Sequence, residues 1–582
     1  MPGDAANGSV HAEDSFKVSV DPVQDHRARP GNSGHASALA SDGSVAIDAI
    51  TLEVFRHLFT ALTEEMGAAL RRAAYSPNIK ERQDYSCALF DVDARPVALG
   101  DHMPVHLGAM PMSVLAALRT LGRLEPGDVA LLNDPFEGGT HLPDITMVTP
   151  VVVDDVTLGY VASRAHHSDV GGISPGSMPL AREIVQEGLR IPPVLLVRGG
   201  QIDDHVRRLI LANVRTPEER QGDLDAQLAS LHAGRRRLEA IAQSRGVPAV
   251  TRAMSALIDY ADRLLAEGIS RIPDGRWSAE DALEDDGFGS GPVPICVALE
   301  VSGDHVTVDF TGSSPQMPGG INAVAAITSS ATRYVLRCVA EALLGTHLPA
   351  GGGSLAAVTL VLPERSVVNA APPASVAAGN VETSQRITDV LLRALTPALP
   401  ELMPALSQGT MNNLTVGGVD PRTGEPFAYY ETMGGGVGAG PTGPGLSGVH
   451  SHMSNSLNTP VEALEHAYPF RVVRYALRQD SAGTGKHAGG EGLIRELELL
   501  GDAQVTLLTE RRAQGPAGAA GGAAGAPGEN TLVRDGHTQV LPSKVSFDAR
   551  AGDVVRLHSP GGGGWGAPPE ANQGGHPSTT QR

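Results

Sequence analysis

Cysteine, aromatic residues and long apolar runs are scarce in this sequence of 582 residues. The 3 cysteines, Cys87, Cys296 and Cys338, lie far apart, so they form neither a disulfide framework nor a CxxC metal motif. No apolar run approaches the roughly 18–20 residues of a transmembrane helix, and residues 1–44 hold no signal-like segment. We therefore expect a cytoplasmic protein without a membrane segment.

Basic charge is also limited, with 45 Lys+Arg against 65 Asp+Glu and a formal net charge of −20. The longest basic run is Arg235–Arg237. A nucleic-acid-binding protein usually presents a basic face. The sequence therefore predicts a protein that does not bind nucleic acid.

Glycine, in contrast, is abundant, with 69 residues beside 42 prolines. No strict three-residue glycine period is present, which excludes a collagen-like chain. Long segments with apolar periodicity separate the glycine clusters, which excludes a disordered chain. The high glycine content therefore has to be explained separately for each cluster.

Apolar spacing predicts both helices and strands along the chain. Residues after 409 read as short β-like segments separated by glycine turns, and Gln514–Asn530 is Gly/Ala/Pro-rich and predicted to be a loop. The earlier predicted elements are helices over about 49–75, 109–122, most of 202–267 and 322–344, strands at 86–90, 96–99, 129–132, 295–301 and 305–310, and a hairpin of 145–153 and 157–164.

These patterns predict a mixed α/β (α+β), multi-lobed fold, with a metal-bearing N-terminal α/β region followed by a glycine-rich, β-dominated C-terminal region. The predicted divisions are a disordered N-terminal extension (1–45), a metal-site α/β domain (46–270), a central α/β region (271–480), a β-rich C-terminal region (481–567) and a disordered tail (568–582).

Two clusters of potential metal ligands flank the predicted hairpin. His141 and Asp144 precede it, and His166 and His167 follow it. Because a hairpin returns its second strand beside its first, the clusters should be neighbours in space. His141 and Asp144, with His166 or His167, would supply the mixed nitrogen and oxygen ligation that suits Zn²⁺, Mn²⁺ or Fe²⁺.

Consecutive strand residues point to opposite faces, so only one of His166 and His167 is expected to bind the metal, while the other orients or donates to substrate. The glycines at 138–139 and 171–172 are expected to let the backbone approach an ion or substrate closely. The alternative is that all these residues are ordinary loop histidines and helix-capping aspartates. Weaker candidates, for which a polar loop is an equal alternative, are Asp101-His102 with His106, and His450-Ser451-His452.

Three segments resemble motifs for a nucleophilic serine or for nucleotide binding, but none of them meets all the requirements of its motif. Gly172–Gly176 matches G-x-S-x-G, but Pro175 would restrict the sharp turn that a nucleophile elbow needs. Asp480–His487 lacks the first glycine and the final hydroxyl of a phosphate-binding loop. Gly434–Gly440 does not fit G-x-G-x-x-G. No nucleotide site is therefore predicted in this chain.

Several long segments, in order over about residues 46–567, resemble the hydantoinase B/oxoprolinase family. They are Glu81–Phe90, His102–Met110, Asn133–Ile145, His166–Gly172, Ser451–Glu462, Asp480–Gly492 and Ser559–Gly566. The resemblance implies a B-type subunit of an ATP-dependent enzyme that opens the rings of cyclic amides such as hydantoins, 5-oxoproline or lactams. An A-type subunit, or an A-like half of a fused chain, would bind ATP and phosphorylate the amide oxygen.

The same resemblance implies the cofactors, partner and site residues. The expected partner is a hydantoinase A-type ATP-binding subunit in a hetero-oligomer such as A2B2, and the expected cofactor is a divalent metal ion (Zn, Mn or Fe). Carried over onto matching positions, the metal ligands are Asp84, His141, Asp144 and His166, with His167 as the alternative to His166. Asp84 is expected from the resemblance alone.

In the implied reaction the metal assists attack on the phosphorylated ring amide, and His167 or Asp169 is expected to move protons. Two alternatives stay open. One is a subunit of an ATP-dependent ketone carboxylase, because relatives carboxylate ketones. The other is a metal-stabilised scaffold subunit whose partner performs the chemistry.

Overall fold

The computed structural model describes residues 16–18, 47–100, 103–106, 108–349 and 355–568. Most of the predicted N-terminal extension, the tail beyond residue 568, and Asp101 with His102 lie outside the described residues. Helices and several sheets alternate in the described part, which confirms the mixed α/β class. The predicted domain boundaries stay predictions.

Nine α-helices lie in the described ranges, and none of them combines the length and hydropathy that a membrane crossing requires. Side-chain caps begin several of them. Asp48, for example, accepts the backbone N–H groups of Ile50 and Thr51. The helices are α1 (Ala49–Ala73), α2 (Pro77–Lys80), α3 (Ala109–Leu121), α4 (Asp204–Leu211), α5 (Pro217–Arg245), α6 (Val247–Ser270), α7 (Ala325–Leu344), α8 (Ser384–Leu395) and α9 (Val461–Ala467).

Shorter helical turns and the strands complete the fold. The 3₁₀ turns are Pro104–His106, Pro135–Glu137 and Ile184–Gln186, and Gly379–Thr383 forms a π-helix directly before α8. The strands are β1 (Phe16–Val18), β2 (Tyr85–Phe90), β3 (Pro96–Leu99), β4 (Val129–Leu132), β5 (Asp144–Val153), β6 (Val156–His166), β7 (Val194–Arg198), β8 (Gln201–Ile202), β9 (Gly275–Leu283), β10 (Val293–Ser302), β11 (His305–Asp309), β12 (Val358–Leu362), β13 (Asn413–Val419), β14 (Pro426–Glu431), β15 (Phe470–Arg478), β16 (Gly492–Leu499), β17 (Ala503–Leu508), β18 (Glu529–Arg534), β19 (His537–Leu541), β20 (Lys544–Ala549) and β21 (Val554–His558).

A seven-stranded antiparallel sheet carries the candidate site. Its strand order is β3-β2-β6-β5-β4-β7-β8, with the predicted hairpin as the central pair β5 and β6. Helices α1 and α5 cover one face, where Met66 and Leu231 pack in the same core as Cys87 of β2. Helix α3 covers the other face, where Val114 packs with Ala88. Successive residues of a strand point to opposite faces of the sheet, so they pack either against α1 and α5 or against α3.

Three further sheets make up the rest of the strands. One has the order β1-β12-β11-β10-β9, in which β11 and β12 are parallel and the other pairs antiparallel. The second has the order β14-β13-β17-β20, and the third has the order β15-β16-β21-β18-β19. The last two share one apolar core, which includes Phe470, Leu497 and Val505.

Glycine-rich segments from the second half of the chain pack side by side in a unit that we call the glycine bundle (residues 434–446, 481–490, 515–526 and 560–566). Its central segment donates backbone hydrogen bonds to different neighbours: Gly562 N–H to the Gly490 oxygen, Gly563 N–H to the Leu406 oxygen and Gly564 N–H to the Ala523 oxygen, each at 2.9 Å. Residues 514–528 have no regular helix or strand, as predicted for a loop, but they are tightly packed.

The absence of side chains allows this packing. A Cβ atom added at Gly562 would overlap the carbonyl oxygen of Val437 and lie 2.8 Å from the nitrogen of Gly438. A Cβ atom at Gly490 would overlap the carbonyl oxygen of Leu446. As at the axis of collagen, backbone approaches backbone too closely for any larger residue. Much of the glycine excess therefore serves close backbone packing.

Candidate metal centre

Three adjacent strands place one candidate residue each in a single row at the end of the seven-stranded sheet. Asp144 of β5 pairs with His166 of β6, and the His166 N–H donates to the carbonyl oxygen of Asp84, just before β2, at 3.0 Å. Residues paired across strands point to the same face. The hairpin therefore brings the two predicted ligand clusters together, and Asp84 lies beside them.

The side chains of His141, Asp144 and His166 meet at the centre of this row. His141 Nε2 lies 3.2 Å from His166 Nδ1 and 3.2 Å from Asp144 Oδ1, and His166 Nδ1 lies 3.3 Å from Asp144 Oδ1. Ligands of a tetrahedral Zn²⁺ ion are about 3.3–3.4 Å apart when each is about 2.0–2.1 Å from the metal. The three atoms thus already have the spacing of three corners of a metal tetrahedron.

Hydrogen bonding fixes which His141 nitrogen can bind a metal. His141 Nδ1 lies 3.3 Å from the carbonyl oxygen of Ala377, which only accepts hydrogen bonds. In neutral His141 the proton is therefore on Nδ1, and the lone pair of Nε2 faces Asp144 and His166. This is the arrangement of metal-binding histidines, whose second ring nitrogen donates to a carbonyl or carboxylate.

The second oxygen of Asp144 is held by other groups, which leaves Oδ1 for the centre. The Thr140 hydroxyl donates to Oδ2 at 2.5 Å, His106 Nε2 lies 3.4 Å from it, and Asn380 Nδ2 lies 3.5 Å from it. The same Asn380 nitrogen lies 3.0 Å from His141 Nε2. The carboxylate is thereby fixed in one orientation.

The electrostatics favour an ionised Asp144 carboxylate, with the neutral form favoured at His106 and His166 and the protonated form favoured at His141. Burial raises the pKa of Asp144, but the charge of His141 and hydrogen bonds from His106, His141 and His166 outweigh burial and hold this pKa well below its usual value. Burial lowers the pKa of His166 and of His106, more than the neighbouring Asp144 raises them. For His141 the balance is reversed, and Asp144 raises its pKa against burial.

These observations fit a divalent metal. The trio is buried, its carboxylate is ionised, and the donors are two imidazole nitrogens and one oxygen, which suit Zn²⁺, Mn²⁺ or Fe²⁺. A divalent ion would also compensate a buried negative charge that otherwise depends on protonation of a histidine. Within the described residues, His141, Asp144 and His166 form the one such group whose ligand atoms all lie within 4.8 Å of one another.

Asp84, the fourth expected ligand, lies next to this trio but is not part of it. Its side chain is buried, and burial raises its pKa against the opposing charges of His166 and Arg82. Its backbone carbonyl accepts the His166 N–H. Its role as a ligand stays a prediction.

The two residues expected to move protons lie on the other side of the sheet. His167 Nε2 is 2.9 Å from Gln227 Oε1 of α5, and burial together with Arg220 lowers the pKa of His167 to about 4. Asp169 forms an ion pair with Arg215 at 2.8 Å. Alternation along the strand therefore directs His166 to the centre and His167 to α5. A catalytic role for His167 or Asp169 stays a prediction.

The weaker histidine candidates lie in different places: His106 is beside the trio, whereas His450 and His452 are not part of it. His106 reaches Asp144, and its Nδ1 lies 2.8 Å from the Ser86 hydroxyl. His450 and His452 are instead close to the Ser454 and Tyr334 hydroxyls, at 2.6 and 3.4 Å, and neither belongs to the trio.

Several residues of the site escaped the sequence interpretation. Tyr430 stacks on His166 with 4.3 Å between ring centroids, and the Arg82 guanidinium lies 5.0 Å from the centroid of the Tyr430 ring. Asn380 belongs to the π-helix, more than 230 positions from His141. Neither residue lies in a ligand-like motif, and only the tertiary fold brings them to the centre. Asn380 had one indirect signal, since π-helices are often found at functional sites.

The glycines beside the ligands allow close contacts between backbone segments, and close approach to an ion or substrate stays a prediction. Gly138 has a φ of +89°, and a Cβ atom there would lie 2.5 Å from the carbonyl oxygen of Met112. Gly171 also has a φ of +89°, and a Cβ atom there would overlap the carbonyl oxygen of Asn213. Both glycines let the site loops pack against neighbouring backbone.

Comparisons with known proteins show which chains share this sequence. A sequence model for hydantoinase B/oxoprolinase matches residues 48–568. An uncharacterized protein of Methanocaldococcus jannaschii is 39% identical over 90% of this chain and 92% of its own length. 5-oxoprolinase 1 of Arabidopsis thaliana is 38% identical over 89% of this chain, which spans only 42% of that longer relative. A Pseudomonas sp. protein, named as the B-type subunit of a D-/L-hydantoinase, is 29% identical over 90% of this chain and 91% of its own.

Two solved structures have the same fold. The ATP-dependent caprolactamase from Pseudomonas jessenii superposes with a TM-score of 0.82 at 30% identity, over 90% of this chain and 92% of its own. An acetone carboxylase superposes with a TM-score of 0.80 over 89% of this chain and 76% of its own, at 17% identity, so this second likeness concerns the fold alone.

Proposed function

Since the chain belongs to the hydantoinase B/oxoprolinase family, we propose that it is the B-type subunit of an ATP-dependent hydrolase that opens the ring of a cyclic amide. The observation that carries this proposal is the buried trio of His141, Asp144 and His166 with tetrahedral spacing. A ring amide is a poor electrophile because attack on it breaks resonance. Phosphorylation of its oxygen would remove that obstacle, and this is the use for ATP.

A separate ATP-binding partner follows from the division of motifs. This chain lacks a recognisable nucleotide-binding motif. The similar Pseudomonas sp. protein, of comparable length, is named as one component of a hydantoinase, whereas the similar 5-oxoprolinase 1 is a longer chain of which this sequence spans 42%. Both facts support an ATP-binding A-type partner for this chain. An A2B2 assembly in the cytoplasm remains part of this proposal.

The residues of the site would divide the work. His141, Asp144 and His166 would hold the metal, which when bound supplies Lewis-acid polarisation at the reacting oxygen. Thr140 and Asn380 orient Asp144 and His141 through the contacts described above. Tyr430 covers His166 and restricts access of water to that side of the ring. Asp84 is retained as a candidate further ligand because it lies in the same row of the sheet.

We assign the movement of protons to His106 ahead of His167 or Asp169. His106 faces the centre through Nε2, which donates to the ionised Asp144 carboxylate and so holds a proton that can be moved there. Burial lowers the pKa of His106, and its other ring nitrogen lies against the Ser86 hydroxyl. His167 and Asp169 are engaged with Gln227 and Arg215 on the opposite face.

The direct test is reconstitution with the ATP-binding partner. The pair should hydrolyse ATP in step with the opening of one or more rings among hydantoin, 5-oxoproline and caprolactam, and a chelator should stop both. Bicarbonate-dependent consumption of a ketone, without ring opening, would select the carboxylase alternative. A pair whose turnover is unchanged by loss of His141 would instead make this chain a scaffold.

A further inference from the structure

Glu187 is a buried carboxylate to which the proposed chemistry assigns no role. It follows the 3₁₀ turn Ile184–Gln186. Its Oε1 atom accepts the backbone N–H groups of Val376 at 2.6 Å and Ala377 at 3.0 Å, and also the hydroxyl of Ser375. Its Oε2 atom is buried without a hydrogen-bond partner. One carboxylate oxygen therefore gathers three successive donors of a single segment.

That segment leads directly to the metal centre. The carbonyl oxygen of Ala377 is the acceptor for His141 Nδ1 at 3.3 Å. The next two N–H groups, of Ala378 and Gly379, donate to the Gly320 oxygen at 2.8 and 3.1 Å, and the π-helix that carries Asn380 follows at once. Glu187 thus accepts the N–H of Ala377, while the carbonyl oxygen of Ala377 accepts from His141 Nδ1.

Glu187 is itself attached to the loop that follows the ligand His166. The Leu189 N–H donates to the Val170 oxygen at 2.9 Å, and the Ile173 N–H donates to the Gln186 oxygen at 2.8 Å. The carboxylate therefore bridges the loop after β6 and the segment before the π-helix. Two parts of the site that are about 200 positions apart in the chain are joined through this one side chain.

A buried carboxylate costs folding free energy, which is hard to explain if its only role is to join two loops. No ion pair to Glu187 is present in the described part of the chain, and burial raises its pKa to about 7 despite the three hydrogen bonds that lower it. Burying a carboxylate without a cation costs free energy that an apolar or amide side chain would not. The cost is explained if the three charge-assisted hydrogen bonds are needed to fix Ala377 in place.

We propose that Glu187 is a positioning residue of the metal centre: by holding Ser375–Ala377, it fixes the Ala377 carbonyl against His141 Nδ1 and so sets the tautomer and ring orientation of His141. This inference rests on the proposed metal-binding function. Outer partners that orient metal-binding histidines typically contribute about 10- to 100-fold in metal affinity.

Titration of the metal-free chain with Co²⁺, followed by the visible absorption of the bound ion, tests the proposal without an activity assay. Glu187→Ala should raise the Co²⁺ dissociation constant by about 10- to 100-fold. Glu187→Gln keeps an oxygen acceptor for the same three donors but lacks the charge, so it should restore only part of the affinity. Glu183→Ala, at an exposed glutamate four positions earlier, is the matched control and should bind Co²⁺ like the wild type.

The outcomes separate the two proposals. A folded Glu187→Ala variant that binds Co²⁺ with wild-type affinity and absorption overturns the role of Glu187 and leaves the metal centre intact. A wild-type chain that does not bind Co²⁺ overturns both. If Glu187→Ala does not fold, Ser375→Ala removes one of the three donors and should weaken Co²⁺ binding in the same direction, whereas unchanged affinity in that variant contradicts the proposal.

Discussion

The metal centre and the glycine bundle both gather segments that are distant in the chain, but they do so by opposite means. At the metal centre, imidazole, hydroxyl and amide groups of five residues, from four parts of the chain, converge on the Asp144 carboxylate. In the bundle, backbone N–H and carbonyl groups make the contacts, and a Cβ atom at many positions would overlap a neighbouring backbone. One region depends on the side chains present, the other on the side chains absent.

The difference predicts opposite sensitivities to mutation. At the metal centre, the loss of a polar group should reduce metal binding or turnover and leave most of the stability, because the apolar core of the sheet lies elsewhere. In the bundle, the gain of a single methyl group should reduce stability, because two backbones cannot both move aside. Matched substitutions in the two regions test whether these sensitivities differ.

The largest expected effect is on turnover, at His106. His106→Asn removes the imidazole that faces Asp144 and should lower kcat by about 100-fold or more, as is typical for loss of a general acid–base group. Its metal content should stay near wild type. The measurement is ATP-coupled ring opening by the reconstituted pair, with metal analysis of the same samples.

His167→Asn is the paired variant for this test, because His167 is equally buried but faces Gln227. We expect its kcat to remain near wild type. If His167→Asn loses turnover and His106→Asn keeps it, the proton-moving role belongs to His167, and the assignment to His106 is wrong.

In the glycine bundle, Gly562→Ala should lower the free energy of unfolding by about 3 kcal/mol, at the upper end of the usual cost of overpacking. The added methyl group would overlap the Val437 carbonyl oxygen. Chemical denaturation followed by circular dichroism would measure the loss.

Gly440→Ala is the control in the same unit, since a Cβ atom there meets nothing within 4 Å. It should change stability by less than about 0.5 kcal/mol. Equal losses in the two variants would show that glycine is needed in the bundle for some reason other than close packing.

A smaller effect is expected at Thr140, whose hydroxyl donates to Asp144 Oδ2 at 2.5 Å. Thr140→Val preserves the shape of the side chain and should weaken metal binding by about 10-fold. Thr149→Val removes a buried hydroxyl of β5, the strand that begins at Asp144. This hydroxyl donates to the Asp128 oxygen, so its loss should leave metal affinity unchanged. Competition with a chromophoric chelator would measure both, and a loss at Thr149 equal to that at Thr140 would argue against orientation of Asp144 as the cause.

Local sequence patterns predicted those parts of the fold in which one face of an element is apolar. The helix expected over 49–75 is found at Ala49–Ala73, and the hairpin of 145–153 and 157–164 is found at Asp144–Val153 and Val156–His166. Helix α8 was missed because it is buried almost throughout. Its polar residues are compensated by distant partners, such as Glu510, which lies 3.0 Å from Arg386.

The residues of the site also fall into those that a local pattern predicts and those that depend on tertiary packing. The hairpin alone was enough to predict that His141 and Asp144 would meet either His166 or His167, because strand pairing has a fixed register and alternation, and the structure places His166 there. Asn380 and Tyr430 reach the centre, and Glu187 reaches the segment that supports it, only through packing between distant elements, which no local pattern encodes. The resemblance to a family supplied Asp84, which the residues alone had not indicated.

The central claim is that His141, Asp144 and His166 hold a divalent metal ion that ring opening requires. Metal analysis of the purified chain, beside an Asp144→Ala variant shown to be folded, tests it most directly. We predict about one Zn, Mn or Fe ion per wild-type chain and none in the variant, with turnover of the reconstituted pair lost together with the metal. A folded variant that keeps the ion, or a fully active wild-type pair without any, would contradict the claim.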